Sequence, residues 1–147
     1  MTTPVPAPAL FPDIEAVLVP WLQAQLLAVY SVQARVCTET PQNLADILPV
    51  VAVSRTAGGD LLHLLDRPVV DIDCFGPDRL SSALLARQVY TLMQHYLTGT
   101  VKGPTPAASA VVGWVNTVKG PGWLTYQDLA VRRCNATYEL YVHPVRT

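Results

Sequence analysis

Two aspartates in an otherwise apolar segment are the residues of this chain most suited to chemistry. Asp71 and Asp73 alternate with Val70, Ile72 and Cys74. Because residues two apart on a strand point to the same face, this spacing places both carboxylates on one side of a strand. Such a pair could act in acid–base catalysis, hold a metal ion, pair with cations on neighbouring strands or belong to an interaction surface.

Catalysis and metal binding both require further groups. An acid–base pair needs a neighbour that separates the two pKa values, and a metal site needs more ligands. The chain has neither the DxDxDG pattern of a calcium loop nor the HExxH pattern of a zinc helix. Cross-strand pairing with arginine is therefore the favoured interpretation. We expect Arg35, Arg55 and Arg133 on the same sheet face, with Glu39 and Glu139 near them, and no catalytic, cofactor-binding or metal-ligating residue.

The cysteines give little indication of catalysis, which would need a thiolate beside a base. Cys37, Cys74 and Cys134 are odd in number, widely spaced and without a CxxC pair, which favours a reducing compartment over a disulfide framework or zinc site. Cys74 and Cys134 are predicted on apolar strand faces, as small core residues. The histidines are predicted in a loop, on the polar side of a helix and near the end of the chain (His63, His95 and His143).

Two glycine clusters and two aromatic residues complete the candidates. Gly58-Gly59 and Gly120-Pro121-Gly122 lack the strand–loop–helix setting and the Lys-Ser/Thr pair of a phosphate-binding loop, so we predict turns. Trp123 and Tyr126 follow the second cluster. Two interpretations of them stay open, which are local packing and contact with a partner, since aromatic residues are enriched at interface anchors.

The composition of the chain argues against some classes of function. The 147 residues suit one domain, and half of them are hydrophobic. Charged residues make up only 14%, against about 25% in soluble domains, which favours a surface partly covered by partner subunits.

The net charge of −1 without any run of Lys or Arg argues against tight nucleic-acid binding. The longest apolar stretch, residues 16–30, contains Pro20 and two glutamines and is too short and polar to span a membrane, and the N-terminus has no secretory signal.

The periodicity predicts an α+β domain over residues 12–147, after a proline-rich extended arm at residues 1–11 that either frays or lies over a neighbouring subunit. Asp78 is the expected N-cap of the second of two helices, and Pro20 should kink or break the first. The expected fold is a mainly antiparallel sheet of about five strands with both helices on one face. The predicted helices are 12–29 and 79–97, and the predicted strands are 32–38, 47–56, 68–75, 110–118 and 132–142.

Two blocks of residues add up to a recognisable pattern. Residues 47–89 contain Leu48-Pro49, Arg55, Gly58-Gly59 and Asp66-Arg67-Pro68 before the strand with the aspartates, and residues 120–142 contain Gly120-Pro121, Trp123, Tyr126, Arg132-Arg133 and Tyr138. Over about residues 35–142 the chain resembles the tail terminator, or tail completion, proteins of long-tailed bacteriophages. The resemblance implies a small α+β fold, in agreement with the prediction from periodicity.

The resemblance also implies a function without catalysis. It implies a structural virion protein, assembled in the host cytoplasm into a hexameric ring that caps the tail tube, ends its polymerisation and joins the tail to the head connector. The expected partners are further copies of the chain, the tail tube protein and connector or neck proteins, with DNA passing through the ring without sequence-specific binding. Another head–tail joining protein of the neck, and a small cytoplasmic enzyme or ligand-binding domain, are the alternatives. The interaction residues expected are Asp71, Asp73, Arg55, Arg67, Trp123, Tyr126 and Arg133.

Contacts between copies need exposed segments. The segments 57–66 and 99–109 are predicted as long loops at the ends of the sheet. We therefore expect them to supply subunit contacts in an assembly, where a closed ring requires two different patches on each copy.

Overall fold

A computed structural model describes residues 10–62 and 64–144 of the chain. Within them, two helices pack on a six-stranded sheet, which confirms the α+β class. The predicted strand count of about five is one too low. The elements are α1 (Ile14–Tyr30), β1 (Arg35–Cys37), β2 (Val50–Leu61), β3 (Leu65–Gly76), α2 (Arg79–His95), β4 (Gly99–Val101), β5 (Ala110–Leu124) and β6 (Arg132–His143).

The sheet is mixed, in the order β1-β2-β3-β6-β5-β4. Among the strands of the described residues, only the short edge strand β1 pairs in parallel, with β2, and the other neighbours are antiparallel. The last strand of the chain, β6, therefore lies between β3 and β5 in the middle of the sheet. This placement puts the charged strands β3 and β6 side by side.

Both helices start at an aspartate whose side chain accepts hydrogen bonds from the exposed N–H groups of the first turn. Asp13 accepts from the backbone N–H of Glu15 at 3.1 Å, and Asp78 accepts from that of Ser81 at 2.8 Å, as predicted for α2. Of the kink or break predicted at Pro20, the break is wrong, because α1 runs through the proline without interruption. The proline is exposed, and buried leucines on either side hold the helix against the sheet (Leu18 and Leu22).

The main core lies between the helices and one face of the sheet, as predicted. Leu85, Val89 and Leu92 of α2 and the alternating apolar residues of β3 and β6 are buried together. The spacing of apolar residues predicts two buried helix stripes, and both are wrong at their ends. The predicted stripes are Ile14, Val17, Leu18, Trp21 and Ala28 on the first helix and Leu85, Val89, Leu92 and Tyr96 on the second. Tyr96 follows the last residue of α2 and is half exposed. On α1, Trp21 is only partly buried and Ala28 is exposed, while Leu22 and Leu26 are buried.

The second face of the sheet is partly covered by loops. Phe75 and Val50 form a smaller apolar cluster with Leu44 and Val131, which lie in the segments before β2 and before β6. Tyr126 packs edge-on against Phe75, with 5.2 Å between the ring centroids. The rest of this face has no helix over it in the described part of the chain, and we call it the open sheet face.

The predicted turns at the glycine clusters are wrong, because both clusters lie inside strands. Gly58 belongs to β2 with a positive φ of 103°, and a Cβ there would lie 2.1 Å from the carbonyl oxygen of Arg67. The ladder shifts register just before it, between Arg55 and Ala57. In β5, residues 117–122 contain two further register shifts. Glycine and proline therefore mark bulges here, which are frequent near sheet edges.

The predicted loops are also more ordered than expected. Residues 57–61 and 65–66 belong to the β2–β3 hairpin, and residues 99–101 form the edge strand β4. Val101 and Ala108 are buried, so the second segment contributes to the protein interior. Of the predicted N-terminal arm, residues 1–9 lie outside the described residues. None of the helices in residues 10–62 and 64–144 is long and apolar enough to cross a membrane.

The packing of α2 gives a direct test. Leu92 is fully buried in the main core, so Leu92→Ala should lower the free energy of unfolding by about 2–5 kcal/mol. Leu84→Ala on the same helix is the control, because Leu84 is 47% exposed and should lose much less. Urea denaturation of both variants measures the difference, and a loss below about 0.5 kcal/mol for Leu92→Ala would contradict this packing.

Candidate interaction surface

The two aspartates occupy neighbouring positions on the open sheet face and bind side chains of β6. Asp73 Oδ1 accepts hydrogen bonds from Arg133 Nε at 2.9 Å and Asn135 Nδ2 at 2.7 Å, and its Oδ2 accepts from Arg133 Nη2 at 3.0 Å. Asp71 Oδ1 accepts from Thr137 Oγ1 at 2.6 Å. The ladder sets these contacts, since Asp73 lies opposite Asn135 and Asp71 lies opposite Thr137.

Cross-strand pairing is thus confirmed for Asp73. Its side chain is 18% exposed and that of Arg133 is 30% exposed, so this charge-assisted pair is partly shielded from water. Asn135 is buried and supplies a further donor to the same carboxylate. Asp71 differs from the prediction, because its partner is a neutral hydroxyl. Both oxygens of Asp73 and Oδ1 of Asp71 bind side chains of β6 and so hold the two strands together, which is a structural role.

Arg55 lies on the other face of the sheet, so its predicted place beside the aspartates is wrong. It alternates with Val53 and shares the helix-facing side, where its guanidinium binds the buried Asp66 at 2.7 and 2.8 Å. Its backbone N–H donates to Glu15 Oε1 of α1 at 2.9 Å. Arg55 therefore links the hairpin to α1 at the margin of the core.

The remaining predicted charges have mixed outcomes. Arg35 lies opposite Val50, which places it on the open face, but on β1, which is two strands away from β3. Two strand spacings are about 10 Å, so the cross-strand pairing expected for it does not form with Asp71 or Asp73. Glu139 lies on the open face opposite Val69. Glu39 lies beyond the end of β1 and belongs to no strand.

The other predicted interaction residues lie apart from the aspartates. Trp123 is opposite Cys134 on the helix-facing side, where the Arg79 guanidinium lies 4.5 Å from its ring centroid. Tyr126 packs on Phe75, which agrees with the interpretation of local packing. Arg67 lies opposite Gly59 on the open face, and its buried Nε has no hydrogen-bond acceptor among the described residues.

Sequence reasoning missed several strongly exposed apolar residues. At the tip of the β2–β3 hairpin, Leu62 is 79% exposed and Leu64 is 68% exposed. On the open face, Trp114 lies opposite Tyr141 and is 62% exposed. The sequence contains a signal for the exposure of the hairpin leucines, because leucines in a segment predicted as a loop have no core in which to be buried. The Trp114–Tyr141 pair had none, because its register depends on bulges in β5.

A comparison with protein families identifies the family of this chain. The family model described as phage tail termination protein matches residues 10–147. The chain belongs to this family. No curated protein matches it.

Membership of the phage tail termination family indicates the class of function. Membership implies a structural role in the virion tail and contact with tail and head-connector proteins. In residues 10–62 and 64–144, no three His, Cys, Asp or Glu side chains come together as a group that could hold a metal ion. The sheet of this tail termination protein presents two kinds of surface. One is the hydrogen-bonded polar ladder between β3 and β6, and the other consists of exposed apolar side chains.

The ladder predicts unequal effects for the two aspartates. Asp73→Ala removes an acceptor of three hydrogen bonds and leaves a partly buried guanidinium and a buried amide without it. This variant should lose about 1–3 kcal/mol of unfolding free energy. Asp71→Ala loses one hydrogen bond and should cost about 0.5–1.5 kcal/mol. Parallel urea titrations measure both, and an equal or larger loss for Asp71→Ala would contradict the geometry.

Proposed function

We propose that this phage tail termination protein forms a closed hexameric ring that caps the tail tube, stops its polymerisation and joins the tail to the head connector. The family match supports the tail role. The observation that carries the ring is the position of apolar surface at opposite ends of the β2–β3 hairpin. Each strand of this hairpin has 12 residues, so its two ends are about 40 Å apart.

One end of the hairpin is its leucine tip. The other end adjoins an apolar groove of about 330 Å³ between the start of β2 and the start of α2. Leu48, Pro49, Leu84 and Leu85 line it. The tip and the groove of one copy are too far apart to cover each other. Contact between two different patches on successive copies is heterologous, and it produces a ring when the rotation closes.

The free strand edges favour contacts through side chains. β1 covers only Val50–Ala52 of β2, and β4 covers only Ala110–Val112 of β5. Beyond these residues both strands contain bulges, and β5 also contains Pro121. Bulges and proline hinder the addition of a further strand. An assembly that must end at a fixed size benefits from edges that do not propagate.

The open sheet face suits the channel of such a ring, through which DNA passes without sequence-specific binding. Asp73 is paired with Arg133, and Asp71 remains as a carboxylate beside Thr137. The charges on this face nearly balance, so phosphates would be neither held strongly nor strongly repelled. The cations on it are Arg35, Arg67, Lys119 and Arg133, and the anions are Asp71, Asp73 and Glu139.

The hairpin tip gives a test of assembly. Leu62→Asn with Leu64→Asn should spare the fold, because Leu62 has a φ of 52°, where asparagine is tolerated better than leucine. Ring formation should weaken at least about tenfold in concentration, since every subunit contact loses two apolar anchors. Leu27→Gln is the control, as a half-exposed leucine on α1. Sedimentation velocity over a concentration series measures assembly, and unchanged rings in the double variant would refute the hairpin contact.

The channel gives a second test. Asp71→Asn with Asp73→Asn leaves the cations of the open face unbalanced, so the ring should gain DNA affinity that disappears at high salt. Asp73→Asn with Arg133→Gln removes one charge of each sign and should gain none. Fluorescence anisotropy with duplex DNA at two salt concentrations compares them. If both double variants and the unaltered ring bind DNA with equal affinity, the open face does not line the channel.

A further inference from the structure

Two of the three cysteines lie directly opposite each other in the middle of the sheet. Cys74 of β3 pairs with Cys134 of β6 in the antiparallel ladder. They are 1% and 3% exposed, and both are free thiols on the helix-facing side. The third, Cys37, lies opposite Ala52 on edge strand β1, and its Sγ contacts the carbonyl oxygen of Val51 at 3.7 Å.

The ladder around the pair has the regular geometry that a disulfide needs. The neighbouring pairs Asp73–Asn135 and Phe75–Arg133 continue the register on both sides without a bulge. Directly opposed residues of antiparallel strands have Cα atoms roughly 4.5–5.5 Å apart, and disulfides span Cα distances of about 4.4–6.8 Å. The separation typical of such a pair therefore lies within the range that a disulfide spans.

We propose that Cys74 and Cys134 are a modification site, at which a peroxide oxidant forms an intramolecular disulfide that fixes β3 to β6. One thiolate attacks hydrogen peroxide, forms a sulfenic acid and releases hydroxide. The second thiol attacks the sulfenic sulfur, the S–S bond forms, and the hydroxyl group leaves as water. In total, two thiols lose two electrons and two protons, and one peroxide becomes two waters.

The surroundings of the pair make this reaction slow and selective. Burial raises the pKa of the Cys74 thiol well above its usual range, with further contributions from Cys134 and Asp73, and burial also raises the pKa of Cys134. Little thiolate is therefore present near neutral pH, and α2 covers this side of the sheet. The thiols persist in a reducing cytoplasm, whereas a virion outside the cell meets oxidising conditions, in which disulfides persist.

The test uses the full chain with Cys37→Ala, which leaves only the cysteine pair. The protein is incubated with hydrogen peroxide, alkylated and mapped by mass spectrometry. We expect one cross-linked peptide pair joining Cys74 and Cys134, joint loss of both alkylation sites, and reversal by reductant. The thermal midpoint should rise by roughly 5–15 °C, because the bond closes a long loop of the unfolded chain.

Two controls keep the result interpretable. Cys74→Ala in the same background should give neither the cross-link nor the rise in thermal midpoint. The same peptide map on the unaltered protein shows the link independently of the Cys37 substitution. If both cysteines stay alkylatable after the native protein is treated, while the urea-unfolded protein becomes cross-linked, the proposal is refuted. Separate oxidation of the two cysteines to sulfinic acid would also refute it.

Discussion

The pairing of β3 with β6 is the constraint on which the rest of the structure depends. Its alternation separates two environments across one layer of backbone. On one side, Ile72, Cys74 and Tyr138 are buried beneath the helices. On the other side, Asp73 binds Arg133 and Asn135. A slip by one residue would place carboxylates in the apolar core and apolar side chains on the open face, so both sets of contacts specify the same register.

The sequence predicted those features that have a local signal. Asp78 at the helix start and the alternation from Cys134 to Val142 identify α2 and β6, because capping and burial depend on nearby residues. The sequence predicts the wrong face for Arg55, because the first half of its strand is apolar on both sides. The face of each residue in this strand becomes clear only from the pairing with β3. Gly58 is predicted in a turn, because the local sequence does not show that its backbone lies against that of Arg67 in a neighbouring strand. The three-residue strand β4 is too short to give a periodic signal.

The distribution of charge and apolar surface fits a tail termination protein that works by contact. Its charged side chains are few, and several are used inside the subunit, as in the Arg55–Asp66 and Arg133–Asp73 pairs. Exposed apolar residues lie at the hairpin tip, at the start of α2 and on β5, for example Leu62, Leu80 and Trp114. The polar ladder thus serves the subunit fold, and we propose that the exposed apolar residues serve the assembly. The bulges of β2 and β5 would hinder the addition of a further strand at these edges.

The central claim is that this chain assembles into a ring that ends a tail tube. Native mass spectrometry of the purified protein, alone and after mixing with its tail tube protein, tests it most directly. The account predicts a closed six-subunit species, and a ring bound at the end of each tube that prevents further addition of tube protein. A stable monomer that leaves tube polymerisation unchanged would contradict it.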